Sequence, residues 1–210
     1  MVVCWSASRK PNGRRRSADM FGMSPLEIVG TIFGFANIVL LIRRSVWNFP
    51  AAMAMVSCIG VVLFEAKLYA EAGLQAFFFV VNVYGWALWS RAGGMEHAVA
   101  VRWLGWPARL AWVAVTAAIS LTLGWVLARY TDAALPMVDS AVAGMSIAAQ
   151  FLLSFRRIEN WALWIVIDVV SIALYLNRGL NLLAILYVAF LVLSVIGLRE
   201  WWRASRAEAG

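Results

Sequence analysis

Seven apolar runs, each close to the ~20 residues that cross a bilayer core as a helix, occupy most of the chain beyond residue 24. No other feature constrains the fold as much. Inside hydrocarbon the backbone must satisfy its own polar groups, which leaves helices or a closed barrel. The runs are rich in Leu, Ala and Met and lack an alternation of period two, so they read as helices. Their limits fall near 25–42, 47–64, 73–90, 107–127, 134–155, 159–177 and 179–198. Composition agrees: of 210 residues, 63% are apolar and 14% charged, against roughly 45–50% and about 25% in a soluble domain. A water-soluble fold and a disordered chain are both excluded. The fold class is an all-α polytopic membrane protein, and its first partner is the lipid bilayer.

The net charge is +7, and Lys10 and Lys67 are the only lysines. The arginines lie between apolar runs, where membrane proteins keep cytoplasmic charge, so no nucleic-acid partner is expected. Residues 1–22 form a basic tail with Arg9, Lys10, Arg14, Arg15 and Arg16; no apolar segment follows that would make it a cleaved signal peptide. Met20 and Met23 stand as alternative starts. With seven spans, Arg43, Arg44, Arg91, Arg102, Arg109, Arg156, Arg157, Arg199, Arg203 and Arg206 share the C-terminal side, against Lys67, Arg129 and Arg178 opposite, to which the five basic residues of the tail add and narrow the margin. The positive-inside rule then predicts a cytoplasmic C-terminus and an extracytoplasmic N-terminus. Cys4 and Cys58 are far apart and His97 is the sole histidine, in a polar loop. Neither a metal site nor a cofactor is expected.

A weak internal repeat runs through the chain. Leu68-Tyr69-Ala-Glu-Ala-Gly73-Leu74 resembles Leu174-Tyr175-Leu-Asn-Arg-Gly179-Leu180 at an offset of 106, and Asn37 before Arg43-Arg44 resembles Gln150 before Arg156-Arg157 at an offset of 113. Three spans, one connector and three more spans place the triplets in the same orientation, as parallel repeats. The expected divisions are 1–22 for the tail, 23–90 for the first repeat, 91–133 for loop and connector, 134–203 for the second repeat, and 204–210 for a C-terminal tail.

Polar groups within spans are costly and face the bundle interior. At 100° per residue, Trp161, Trp164, Asp168, Ser171 and Tyr175 fall within about 80° of arc. Gln75, Asn82, Trp86 and Trp89 share a face on the third span. Asp139, Ser146 and Gln150 do so on the fifth, and Gly30, Gly34 and Asn37 on the first. Converged, these stripes make a pocket with aromatic walls and hydrogen-bonding rims for a small aromatic, polar molecule. The candidate site is Trp161, Trp164, Asp168 and Gln150 with Asn82 and Trp86, joined by Tyr175, Gln75, Asn37 and Asn48. Each has a plainer reading. Tryptophans at span ends form interfacial belts, the reading preferred for Trp201 and Trp202. Buried amides bond helix to helix. Asp168 serves equally as helix glue or ligand site, with a proton relay third.

An enzyme is not expected: there is no HExxH, no paired aspartates on facing spans and no Ser/His pair. A structural membrane protein would show a small, apolar seam instead of aromatic and polar stripes. Proton coupling through Asp168 or Asp139 is a variant of the carrier reading.

At these residues the chain resembles the PnuC-type nicotinamide riboside transporters over about residues 25–203. The anchors are Trp47-Asn48-Phe49-Pro50, Tyr84-Gly85-Trp86-Ala87-Leu88-Trp89, Glu159-Asn160-Trp161-Ala162-Leu163-Trp164 with Asp168, and Gly197-Leu-Arg-Glu-Trp201. Ala87 departs from the second aromatic common there. The resemblance implies two three-helix bundles joined by the fourth helix, as in SWEET sugar transporters. It implies import of nicotinamide riboside across a bacterial inner membrane by facilitated diffusion, with trapping by a cytoplasmic kinase. Related members carry thiamine, riboflavin or deoxynucleosides. A homo-oligomer is compatible with it. The residues fit: tryptophan is the best face for a pyridinium cation, Asp168 offers a counter-charge, and the amides suit carboxamide and ribose groups. With no arginine on the stripes, phosphorylated forms are expected to be excluded.

Overall fold

The computed structural model describes residues 24–208 except 68, 96, 131–134 and 178. The tail at 1–22, Arg178 and the last two residues therefore lie outside the described residues. Seven helices are long and apolar enough to cross a membrane. They are α1 (Pro25–Ile42), α2 (Asn48–Glu65), α3 (Tyr69–Trp89), α4 (Trp106–Tyr130), α5 (Pro136–Ser154), α6 (Glu159–Asn177) and α7 (Asn181–Ala207).

Local sequence explains the element limits. Ser24 and Glu27 form a reciprocal capping box before Pro25, with Ser24 N donating to Glu27 Oε2 at 2.6 Å, which satisfies donors the first turn leaves orphaned. α1 ends at an Arg43-Arg44 turn, where Arg44 has φ 57°. α3 runs into a kinked turn, Ser90–Gly94, with Gly93 at φ 81°.

Six helices close a ring in the order α1, α2, α3, α5, α6, α7 and back to α1, and α4 packs on α5 from outside. Small residues set the α4–α5 crossing: a Cβ at Gly144 would come within 2.2 Å of Ser120 Oγ, and one at Gly124 within 2.8 Å of Ser140 Oγ. Close backbone approach of this kind drives helix association where lipid removes the hydrophobic contribution.

Contacts in the first three helices recur in the last three, always 112 residues on. Arg44 and Arg156 both adopt positive φ, 57° and 59°. Asn48 Nδ2 donates to Ser45 O, and Asn160 Nδ2 to Arg157 O, each at 2.6 Å. Phe49 meets Trp89 edge-on at 5.1 Å, and Trp161 meets Trp201 edge-on at 5.6 Å. The sequence offsets of 113 and 106 are therefore corrected to one register. Tyr69 opens α3 whereas Tyr175 lies inside α6, so the two Leu-Tyr stretches match in letters and not in place. The structural counterparts at that end are Lys67 and Gly179, with φ 62° and 70°.

α7 continues to Ala207, so residues 204–207 of the expected C-terminal tail are helical. A second correction concerns Trp201. Trp201 is 0% exposed, and its Nε1 donates to Leu41 O at 3.0 Å. It is a core residue that joins α7 to α1, not a belt tryptophan. Trp202, at 45%, is exposed as a belt residue would be.

The connector before α4 is a strap across the end of the ring where α1 and α5 finish. Val99 N donates to Arg44 O and Arg102 N to Arg156 O, while Ile158 N donates to Arg102 O. Arg44 also pairs with Glu208. Glu159 Oε1 accepts from Leu104 N at 2.9 Å and Arg109 Nε at 2.8 Å. Val99 and Val101 are buried beneath it beside Val46 and Ile158. Both arginine turns therefore lie at one end of the molecule, and the strap crosses that end.

Candidate functional site

The six ring helices line a pocket between them. α6 supplies Trp161, Trp164 and Asp168; α3 supplies Gln75, Phe78 and Asn82; α5 supplies Gln150 and Leu153. α1 adds Asn37, Ile38 and Leu41, α2 adds Ala52, Met55 and Val56, and α7 adds Phe190 and Ser194. All six ring helices contribute and α4 does not.

Spacing along α6 explains its wall. Residues three, four and seven apart stack on one helix face, so the sequence Trp161–Trp164–Asp168 places two indoles and a carboxylate in a column. Trp161 is held by a hole opposite: a Cβ at Gly197 would come within 2.4 Å of its ring. Its buried Nε1 has no hydrogen-bond partner among the described residues, which leaves an indole donor at the cavity wall. Asp168 is 3% exposed and its Oδ2 accepts from Ser194 Oγ at 3.0 Å. Across the cavity Gln150 Nε2 donates to Asn82 Oδ1 at 3.1 Å, and Asn82 Nδ2 donates to Phe78 O at 2.8 Å. That pair ties α5 to α3 with both amides at the wall.

Of the ten candidate residues, Trp161, Trp164, Asp168, Gln150, Asn82, Gln75 and Asn37 come together here. Three do not. Asn48 is buried at the α2 start and bonds the arginine-turn backbone. Tyr175 packs its ring on Tyr187 at 5.2 Å, further along α6. Trp86 is half-buried against the apolar core. Asp139 sits in the first turn of α5, away from the cavity lining. The sequence reading overlooked Phe78, Phe190 and Ser194. Phenylalanine and serine are common in membrane spans, so neither stands out singly. The signal that finds them is the 112-residue register, which pairs Phe78 with Phe190 and Asn82 with Ser194. Among the described residues no group of three or more His, Cys, Asp or Glu could hold a metal ion.

Membrane-length helices ringing one buried aromatic and amide cavity define a multi-pass membrane carrier for a small solute. The nicotinamide mononucleotide transporter family model matches residues 24–203, and the chain belongs to that family, of the PnuC type. It is 29% identical to the nicotinamide riboside transporter PnuC of Escherichia coli (strain K12) over 214 residues, covering 90% of each chain. It is also 29% identical to the riboflavin/roseoflavin transporter RibM of Streptomyces davaonensis over 189 residues, covering 87% of each. The crystal structure of the vitamin B3 transporter PnuC superposes with a TM-score of 0.73 at 26% identity, covering 87% of this chain and 82% of that one. The protein is thus a transporter and not an enzyme.

Proposed function

We propose that the protein imports nicotinamide riboside by facilitated diffusion and that a cytoplasmic kinase traps the product. The observation that carries this is the convergence of Trp161, Trp164 and Asp168 with the Gln150–Asn82 amide pair in one cavity. The pyridinium cation stacks on indole, a contact worth ~0.5–2 kcal/mol, and Asp168 supplies the opposite charge. The amides meet ribose hydroxyls and the carboxamide. Thiamine is a cation without ribose or carboxamide. Riboflavin, the named solute of one relative, is neutral and larger, so Asp168 has no role with it. Among the described residues no lysine or arginine lines the cavity, so none of them offers the mononucleotide in the family's name a counter-charge for its phosphate.

The 112-residue register supports two parallel three-helix repeats, 23–90 and 134–203, joined by the segment 91–133. Substrate passes as the repeats rock about the cavity. The clustering of arginines at the strapped end supports a cytoplasmic C-terminus in a bacterial inner membrane. Calorimetric titration with nicotinamide riboside, thiamine, riboflavin and nicotinamide mononucleotide tests the substrate. The riboside binds tightest on this reading; preferential binding of any other overturns it. Counterflow in proteoliposomes without an ion gradient tests the passive mechanism.

A further inference from the structure

We infer that Ser194 is the positioning residue that makes this cavity selective for a cation. The inference rests on the proposed pairing of Asp168 with a cationic solute. Asp168 and Ser194 are 3% and 4% exposed, on α6 and α7, and both line the cavity. No ion pair reaches Asp168 among the described residues, so none of them supplies its counter-charge. The Ser194 hydroxyl has one proton to give, and Oδ2 takes it at 3.0 Å. A carboxylate held at one oxygen cannot swing about its side-chain bonds, so its other oxygen keeps a fixed aim.

The placement has a counterpart in the other half. Asn82 stands 112 residues before Ser194, also lines the cavity, and also holds a polar partner on a neighbouring helix, Gln150. The same station therefore anchors a neutral amide on one side and a carboxylate on the other. The two walls differ in charge although they match in fold: Val56 stands where its counterpart is Asp168, and Ile38 where its counterpart is Gln150. Ser194 is what turns the acid into a directed contact on the anionic wall.

The test compares nicotinamide riboside with its dihydro form, which has the same outline and a neutral ring. The readout is the ratio of their dissociation constants in purified protein. Ser194→Ala should cut the ratio of the two dissociation constants about tenfold, on the scale of a hydrogen bond lost to a charged group. Ser194→Thr restores the hydroxyl and should restore the preference. Circular dichroism and gel filtration serve as the fold control, and Ser194→Cys, nearly the same size with a weak donor, should fall between wild type and Ala. Equal weakening of both ligands by Ser194→Ala shows a purely structural role and overturns the inference. So does a preserved cation preference in Ser194→Ala when Asp168→Asn abolishes it, and that outcome leaves the function reading standing. A preference that survives Asp168→Asn removes the pairing on which the inference rests, whereas tighter binding of thiamine, riboflavin or the mononucleotide than of the riboside overturns the function reading.

Discussion

Gly197 leaves the hole that the Trp161 ring fills: a Cβ there would lie 2.4 Å from ring Cη2. α7 thereby sets the depth of an indole that α6 carries into the cavity. The equivalent hole in the other half, at Gly85, receives Phe49, with 2.3 Å to ring Cε1.

Gly197→Ala should displace Trp161. Overpacking costs about 1–3 kcal/mol, so thermal stability falls, and substrate affinity falls with it because Trp161 lines the cavity. Gly85→Ala should destabilise similarly while affecting affinity less, since Phe49 is not a lining residue. Gly105→Ala, with its nearest contact at 3.9 Å, should do neither. Thermal unfolding and titration on the three variants read this out, and equal affinity losses at Gly85 and Gly197 would contradict it.

Trp164→Ala should weaken substrate binding about 10- to 100-fold, as base–aromatic stacking is worth ~1–3 kcal/mol. Trp202→Ala should leave binding unchanged, for Trp202 packs on Trp103 at the periphery. Matching losses from the two would remove Trp164 from the site.

Gln150→Leu should cost both stability and affinity. It strips the donor from Asn82 Oδ1, and an acceptor left buried without a partner costs ~1–3 kcal/mol. The double variant Gln150→Leu with Asn82→Leu should recover stability and not affinity. Full recovery of binding in the double variant would show the pair to be helix glue alone.

Glu159→Ala should loosen the strap, since one carboxylate oxygen holds Leu104 N and Arg109 Nε. In a cysteine-free background, Val101→Cys lies under the strap, where Val101 is 1% exposed. Maleimide labelling of that cysteine should be slow and should accelerate when Glu159→Ala is added. Unchanged labelling would mean that Glu159 does not hold the strap.

How much of this was legible from residues alone depended on the scale of the signal. Hydropathy fixes a span because about 20 residues vote together, and α1 and α6 begin and end where the apolar runs do. The aromatic and acidic column on α6 was equally legible, because 100° per residue places it without any neighbour. What neighbours decide was lost. Trp201 reads as a belt residue until α1 offers it the Leu41 carbonyl. Asn48 reads as a ligand group until the arginine turn takes its amide. Trp86 and Tyr175 share faces with lining residues, yet a face spans several turns and the cavity only part of them. Ser194 needed the repeat in its right register, which letter matching at 106 and 113 misplaced.

Among the described residues the strap over the arginine turns belongs to the one segment between α3 and α4, so it marks a single end of the ring. If solute passes that end only when the strap lifts, the two faces of the carrier are unequal in kinetics. Solute arriving at the strapped face meets a population of which only the unlatched fraction can bind, and its apparent dissociation constant is the intrinsic one divided by that fraction. Solute at the other face is spared that factor. Half-saturation for entry and for exit then differ, while the passive reading keeps the two one-way fluxes equal at equal low concentrations, so the asymmetry shows only as the solute approaches saturation.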